Sequence, residues 1–177
     1  SKSGGRVVDS FNLMPSWIRQ MIMIDNESIV ELDFKALHPN IAKSIYGGSD
    51  THISHDDVAN DLNIPINKVK IEHLSFFNKT PFLMKLSPLY AYYQTREPIM
   101  LEYIIIHKQE NDYKITSKML FKKEVEIMTA IIKQLNALNI YVLYVYDALY
   151  CKESDKSIVV EIMNRTIKNM GINTYVG

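Results

Sequence analysis

Cysteine is nearly absent from these 177 residues: Cys151 stands alone, which leaves no disulfide framework and suits a reducing compartment. An excess of charge is absent too, with 20 Lys and Arg against 20 Asp and Glu. That balance removes any global electrostatic case for nucleic-acid binding, so such a case has to be local. Apolar runs such as Ile104–Ile106 stop far short of the roughly 20 residues a membrane span needs. No secretory pattern, internal repeat or low-complexity linker is visible. What is present excludes disorder: 47% of the residues are hydrophobic and 10% aromatic. The length then predicts one domain with a real core.

Charge is less even locally. Between Ile64 and Arg96 five bases (Lys68, Lys70, Lys79, Lys85, Arg96) face one acid, Glu72. Lys114, Lys118, Lys122 and Lys123 form a second cluster after the acidic Glu110 and Asp112. Solvated helix faces often look like this. A surface that tracks phosphates has the same signature, because it needs bases along one face rather than in overall excess.

Hydrophobic periodicity places the elements. Ser28–Phe34 alternates as a strand does. Leu37–Tyr46 reads as a helix closed by Gly47-Gly48. Ser54 and Asp57 resemble a capping box for a helix to about Leu62. Asn63 is expected to cap the next, which carries Pro65 in its first turn and runs to about Lys79. Ser87-Pro88 starts another, with Tyr90–Tyr103 kinked at Pro98. His107–Lys114 reads as a polar connection. Thr116 or Ser117 caps a long helix to about Asn136, with the apolar stripe Phe121, Val125, Met128, Ile132 and Leu135. Tyr141–Tyr146 and Leu149–Cys151 form a hairpin with Asp147 at its bend, and Asp155–Met170 is an amphipathic helix stopped by Gly171. Few strands and many helices give an α+β class, a small antiparallel sheet packed on helices.

Two acids stand out. Asp33 ends a strand before a helix, and Asp147 lies at a hairpin bend among apolar neighbours. A carboxylate there needs solvent, a base or a metal; a turn or cap role is the plainer alternative for each one singly. If the hairpin lies beside the first strand, the two face each other across ~4–7 Å and raise one another's pKa. Divalent cations relieve that repulsion, and two of them ~3.5–4 Å apart serve in-line displacement at phosphorus.

In order along the chain, Gly5-Arg6, Asn12-Leu13-Met14-Pro15, Ile18-Arg19-Gln20, Glu31-Leu32-Asp33-Phe34-Lys35-Ala36-Leu37-His38-Pro39, Asp50-Thr51-His52, Asp57–Val69, Val69-Lys70 with Asn78, and Val145-Tyr146-Asp147-Ala148-Leu149 resemble the motifs of family A nucleic-acid polymerases. These are the bacterial DNA polymerase I type, and the likeness is to their short phage and mobile-element relatives. The resemblance implies a palm-like sheet with a helical fingers segment in one palm-plus-fingers domain, 1–177. Motif A falls in 1–63, the fingers-like helices in 64–114, and motif C in 115–177. It implies template-directed nucleotidyl transfer with two Mg²⁺ (or Mn²⁺) held by Asp33 and Asp147, the carbonyl of Phe34 being an extra ligand. By the same resemblance Lys70 grips the incoming triphosphate and protonates pyrophosphate. Asn78 and His38 lie at the nucleotide, and Arg6, Arg19, Lys68 and Tyr146 contact nucleic acid. The implied partners are primer-template and nucleoside triphosphates, with grip supplied by a further domain or replication partner. No membrane is involved; the expected location is the cytoplasm, the host's if the chain is phage-encoded.

Departures from the pattern are informative. Ile66 stands where motif B carries Arg, Asn78 where DNA polymerases have Tyr, and His38 where they hold a sugar-discriminating Glu. Tyr146 and Ala148 flank Asp147 in place of His and an acid. Thumb and proofreading domains are not part of this sequence. Deoxy or ribo preference is therefore not carried over, and a single-subunit RNA polymerase or primase-like enzyme is an alternative. So are a non-catalytic palm-derived binding module and a metal-dependent nuclease using the same acids. His38, His52, His55 and Asp56 raise a transition-metal site, but their spacing lacks Cys and H-E-x-x-H. Phe76, Phe77 and Phe82 are expected in the core rather than on bases, Tyr90, Tyr92 and Tyr93 are ambiguous, and Glu124 and Glu126 read as surface charge. Cys151 reads as an inert buried thiol.

Overall fold

The computed structural model describes Met14, Pro15, Ile18 and residues 22–177. Arg6 and Arg19 lie outside the described residues, as do Gly5, Asn12, Leu13 and Gln20. Strand β1 (Met23–Ile24) turns through Asp25 and Asn26 into β2 (Glu27–Asp33). Both turn residues sit in the left-handed region, which short Asx side chains tolerate. Seven helices follow: α1 (Leu37–Tyr46), α2 (His55–Leu62), α3 (Ile66–Phe76), α4 (Pro81–Lys85), α5 (Pro88–Arg96), α6 (Pro98–Glu110) and α7 (Ile115–Ala137). Strands β3 (Leu143–Val145) and β4 (Ala148–Lys152), a short 3-10 turn and α8 (Lys156–Asn169) complete the chain.

The strands form one antiparallel sheet in the order β1-β2-β4-β3. Its pleat sorts side chains by face. Leu32 pairs with Leu149, and both join Cys151, Ile41, Met128 and Ile162 in the main core. The other face carries a smaller cluster, Val145, Ala148 and Tyr150, with Met14, Ile22, Ile29 and Leu143 against it. Each large side chain withdrawn from water in the main core contributes about 1.5–3 kcal/mol. The α+β class expected from periodicity is the observed one, a small antiparallel sheet packed on helices. Among the described residues no helix is long and apolar enough to cross a membrane.

Several boundaries differ from expectation, each for a physical reason. Asn63 does not cap α3; its φ of 51° makes it the left-handed terminator of α2, with its N–H on the Ala59 and Asn60 carbonyls. Helix α3 stops at Phe76 rather than near Lys79; Pro81 has no N–H to offer the Phe77 carbonyl, and the ammonium of Lys108 takes the carbonyls of Phe77 and Lys79 instead. Pro98 separates two helices instead of kinking one, since it lacks an N–H and bars helical geometry at Glu97. His107 to Glu110, expected as connection, is the last turn of α6. Thr116 and Ser117 lie inside α7 and do not cap it. Their hydroxyls are engaged across the fold, Thr116 with Tyr46 at 3.1 Å and Ser117 with Asn78 at 2.7 Å. The buried stripe of α7 centres on Leu120, Glu124, Ile127, Met128, Ile131 and Leu135; Phe121, Val125 and Ile132 are half-buried on its flank.

Candidate active site

Antiparallel register decides where the two carboxylates stand. Asp33, the last residue of β2, is the partner of Ala148, the first residue of β4. Asp147 precedes Ala148 in the turn from β3, so the Cα atoms of the two aspartates lie within about 9 Å of each other. The expectation needed the hairpin to lie beside the strand that ends in Asp33, and β4 pairs with β2 in that way.

Backbone strain marks the same end of the sheet. Among the described residues six non-glycines have positive φ, and four of them are Asp or Asn. The other two are Ala36, at 48°, and Tyr146, at 55°. Ala36 closes the turn after Asp33, and Tyr146 immediately precedes Asp147. A left-handed residue with a Cβ costs on the order of 1–2 kcal/mol and persists only where its surroundings enforce it. The enforcing contacts at Ala36 are visible. Buried Asn40 donates to the Ala36 and Ile53 carbonyls at 2.9 and 3.0 Å and accepts from Ile53 N–H at 3.0 Å. Lys35 N–H donates to the Tyr175 carbonyl at 2.9 Å, and the Thr174 hydroxyl donates to the Lys35 carbonyl.

Asp33 is exposed, Asp147 half-buried, Phe34 buried and Tyr146 exposed. No group of three or more His, Cys, Asp or Glu able to hold a metal occurs among the described residues. What Asp33 and Asp147 would offer a cation at the sheet end is hard carboxylate oxygen. That suits Mg²⁺, which takes hard oxygen and leaves several positions to water and phosphate. The histidines raised as a transition-metal set are dispersed: His52 Nε2 lies 3.4 Å from the Lys35 carbonyl and the Thr174 hydroxyl, while His55 packs on His73 at 4.9 Å between ring centroids.

A second feature lies between α3 and α7, a pocket of about 220 Å³. Its walls include His38, His73, Asn78, Lys114, Lys118 and Phe121. Two residues singled out for a nucleotide, His38 and Asn78, thus share one cavity. Lys114, the residue that precedes α7, and Lys118, one turn into it, supply its positive charge. Lys70 and Lys68 do not line it; both are exposed on α3, and Lys70 is four residues before Leu74, which does line it. Lys70 also bears on His55, whose imidazole is held below its ordinary range by burial first and by that ammonium second.

Some residues here escaped sequence reasoning. Glu124 is fully buried rather than surface charge, with Oε1 2.8 Å from His38 Nε2. The ring of His38 also meets Phe121 edge-on at 5.2 Å. His73 is buried, 2.5 Å from the Tyr93 hydroxyl through Nε2 and 3.1 Å from the Val69 carbonyl through Nδ1. Burial is the main reason its pKa falls to about 3. Lys108, expected in a connection, is instead a buried residue of α6. The signal existed in two cases: Leu120-Glu124-Ile127 and Leu101-Ile104-Lys108 keep helical spacing, so each charge falls on a stripe that is otherwise apolar. Phe76 and Phe77 are buried as expected, whereas Phe82 is 71% exposed and does not join the core. The chain matches no protein-family model and no curated protein.

Proposed function

We propose that this chain is a nucleotidyltransferase of the DNA polymerase kind, extending a primer along a template by a two-metal mechanism at Asp33 and Asp147. The observation that carries the reading is the β2–β4 register, which sets Asp33 opposite the residue that follows Asp147. In this reading residues 1–63 and 115–177 supply a palm and 64–114 the fingers, as in the family A polymerases that the motifs resemble. Asp33, Asp147 and the carbonyl of Phe34 would hold two Mg²⁺, or Mn²⁺ in their place. Bound there, the ions lower the pKa of a primer 3′-hydroxyl and screen charge on the departing pyrophosphate.

The protein's own groups supply position and potential. Asp33 ends β2 and Asp147 lies in the turn that leads into β4, so the sheet register sets the two near each other before substrate arrives. Lys70 makes no ion pair among the described residues and is available to grip a triphosphate and return a proton to pyrophosphate. Lys114 and Lys118 add positive potential along the pocket wall. Asn78 and His38 offer polar contacts to sugar or base, and Lys68 and Tyr146 face the backbone of nucleic acid. A location in the cytoplasm is part of the proposal, supported by the single reduced cysteine.

Primer extension by Asp33→Asn and Asp147→Asn tests this. Each variant is expected to lose at least about 100-fold in rate while keeping its fold. DNA and RNA templates, each offered with deoxy- and ribonucleotides, separate DNA polymerase from RNA polymerase or primase activity. One observation favours a second reading, a non-catalytic palm-derived module that binds nucleic acid or a replication partner. The residue beside Asp147 is Ala148, buried against Val145, so no second acid stands on the hairpin. No turnover by the parent, with binding indifferent to both substitutions, would select that reading. Primer shortening without nucleotides would select a nuclease.

A further inference from the structure

Lys108 on α6 is 3% exposed. Its ammonium donates to the carbonyl of Phe77 at 2.7 Å and to that of Lys79 at 2.6 Å. These two residues flank Asn78. The Asn78 side chain is fixed separately, because Ser117 Oγ donates to its Oδ1 at 2.7 Å. With the amide oxygen engaged, its N–H donors are what Asn78 has to offer a ligand.

A buried ammonium is costly, and its two carbonyl partners are neutral. Leucine or methionine would fill the stripe of Leu101 and Ile104 more cheaply. What Lys108 does that they cannot is hold main chain beyond the end of a helix, where carbonyls have no intrahelical donor. It does not line the pocket.

We propose that Lys108 is a positioning residue that clamps the chain on both sides of Asn78 and so sets the donor which Asn78 presents to a nucleoside triphosphate in the α3–α7 pocket. This rests on reading that pocket as the nucleotide site. Lys108 itself touches no ligand and acts through Asn78.

Isothermal titration of ATP and of dATP in Mg²⁺ buffer tests the idea on the wild type, Lys108→Met, Ser117→Ala, Asn78→Ala and the Lys108→Met/Asn78→Ala double variant. Each single substitution is expected to weaken binding about tenfold, and the double variant to bind no worse than Asn78→Ala alone. Additive losses, or unchanged binding by a folded Lys108→Met, overturn the role of Lys108 and leave the function reading standing. A wild type that binds neither nucleotide overturns both. Amide exchange in the native state gives a readout without ligand: Lys108→Met should speed exchange over 77–81 and leave the start of α3 unchanged.

If Lys108→Met does not fold, acidity decides. Burial alone lowers the Lys108 pKa to about 8. The groups it faces are the two carbonyls, for Lys79 turns its ammonium to Glu72 at 3.5 Å and His107 bonds Tyr46 at 2.8 Å. Wild-type affinity should therefore fall as pH rises through about 8, and Asn78→Ala should lack that step. The same step in both proteins, or in neither, overturns the proposal.

Discussion

His38 on α1 and Glu124 on α7 meet at 2.8 Å although 86 residues separate them in the chain. The carboxylate is fully buried and the imidazole only partly so. Removing His38 as Ala takes a hydrogen-bond partner from a buried carboxyl group, a loss of about 1–3 kcal/mol. Glu124→Gln keeps the shape and a hydrogen-bonding oxygen, and is expected to cost less than Glu124→Ala. Urea unfolding of the three variants checks the order.

Ala36 pays for a left-handed backbone that glycine would adopt freely. Ala36→Gly is expected to leave stability unchanged or raise it by up to about 1 kcal/mol. Ala36→Val should lower it by about 2 kcal/mol, because a branched Cβ adds crowding at a buried position that already opposes it. Unfolding midpoints at equal m-value decide between these outcomes. Under the proposed function, the valine variant is also expected to displace Asp33 and so to lower primer extension.

Acid should expose the buried histidine. His73 titrates near 3 in the fold against 6.5 outside it, mainly through burial. A depressed folded pKa means its contribution to stability is complete above 6.5 and is lost as pH falls from there toward 3. Replacing it by Gln, which cannot charge, should flatten the loss of stability across that interval. A slope identical to the wild type's would refute the assignment.

Cys151 should be silent toward thiol reagents in the folded protein. It is fully buried, and burial, aided by Asp155 and Glu153, pushes its pKa up to about 11 from 9.0. Modification at pH 8 is expected only at the rate of unfolding, and promptly in urea. Because the folded pKa is raised, the stability tied to this thiol is whole below 9 and declines between 9 and 11.

Sequence periodicity reached the fold further than it reached the pocket, and the reasons are physical. Strand β2, α1 and the β3–β4 hairpin follow from local patterning and turn chemistry, so Leu37–Tyr46 falls where Gly47-Gly48 places it. Asp33 and Asp147 stand out in the sequence as costly carboxylates, and the sheet brings the end of β2 beside the turn that holds Asp147. What lay beyond reading was tertiary. Glu124 looked solvated because its partner His38 sits on another helix, and Lys108 looked like loop because its reward is a pair of carbonyls 29 and 31 residues away. The end of α3 was missed for the same cause: nothing local to Phe76 announces a cation arriving from α6.

The pairing of β2 with β4 has a temporal side. An early segment supplies one strand, and its neighbour is made only after the ribosome has passed Lys152. Contacts so distant along a chain form late and slowly. Any chemistry that needs both carboxylates is therefore silent in every nascent or interrupted product that stops short of the hairpin.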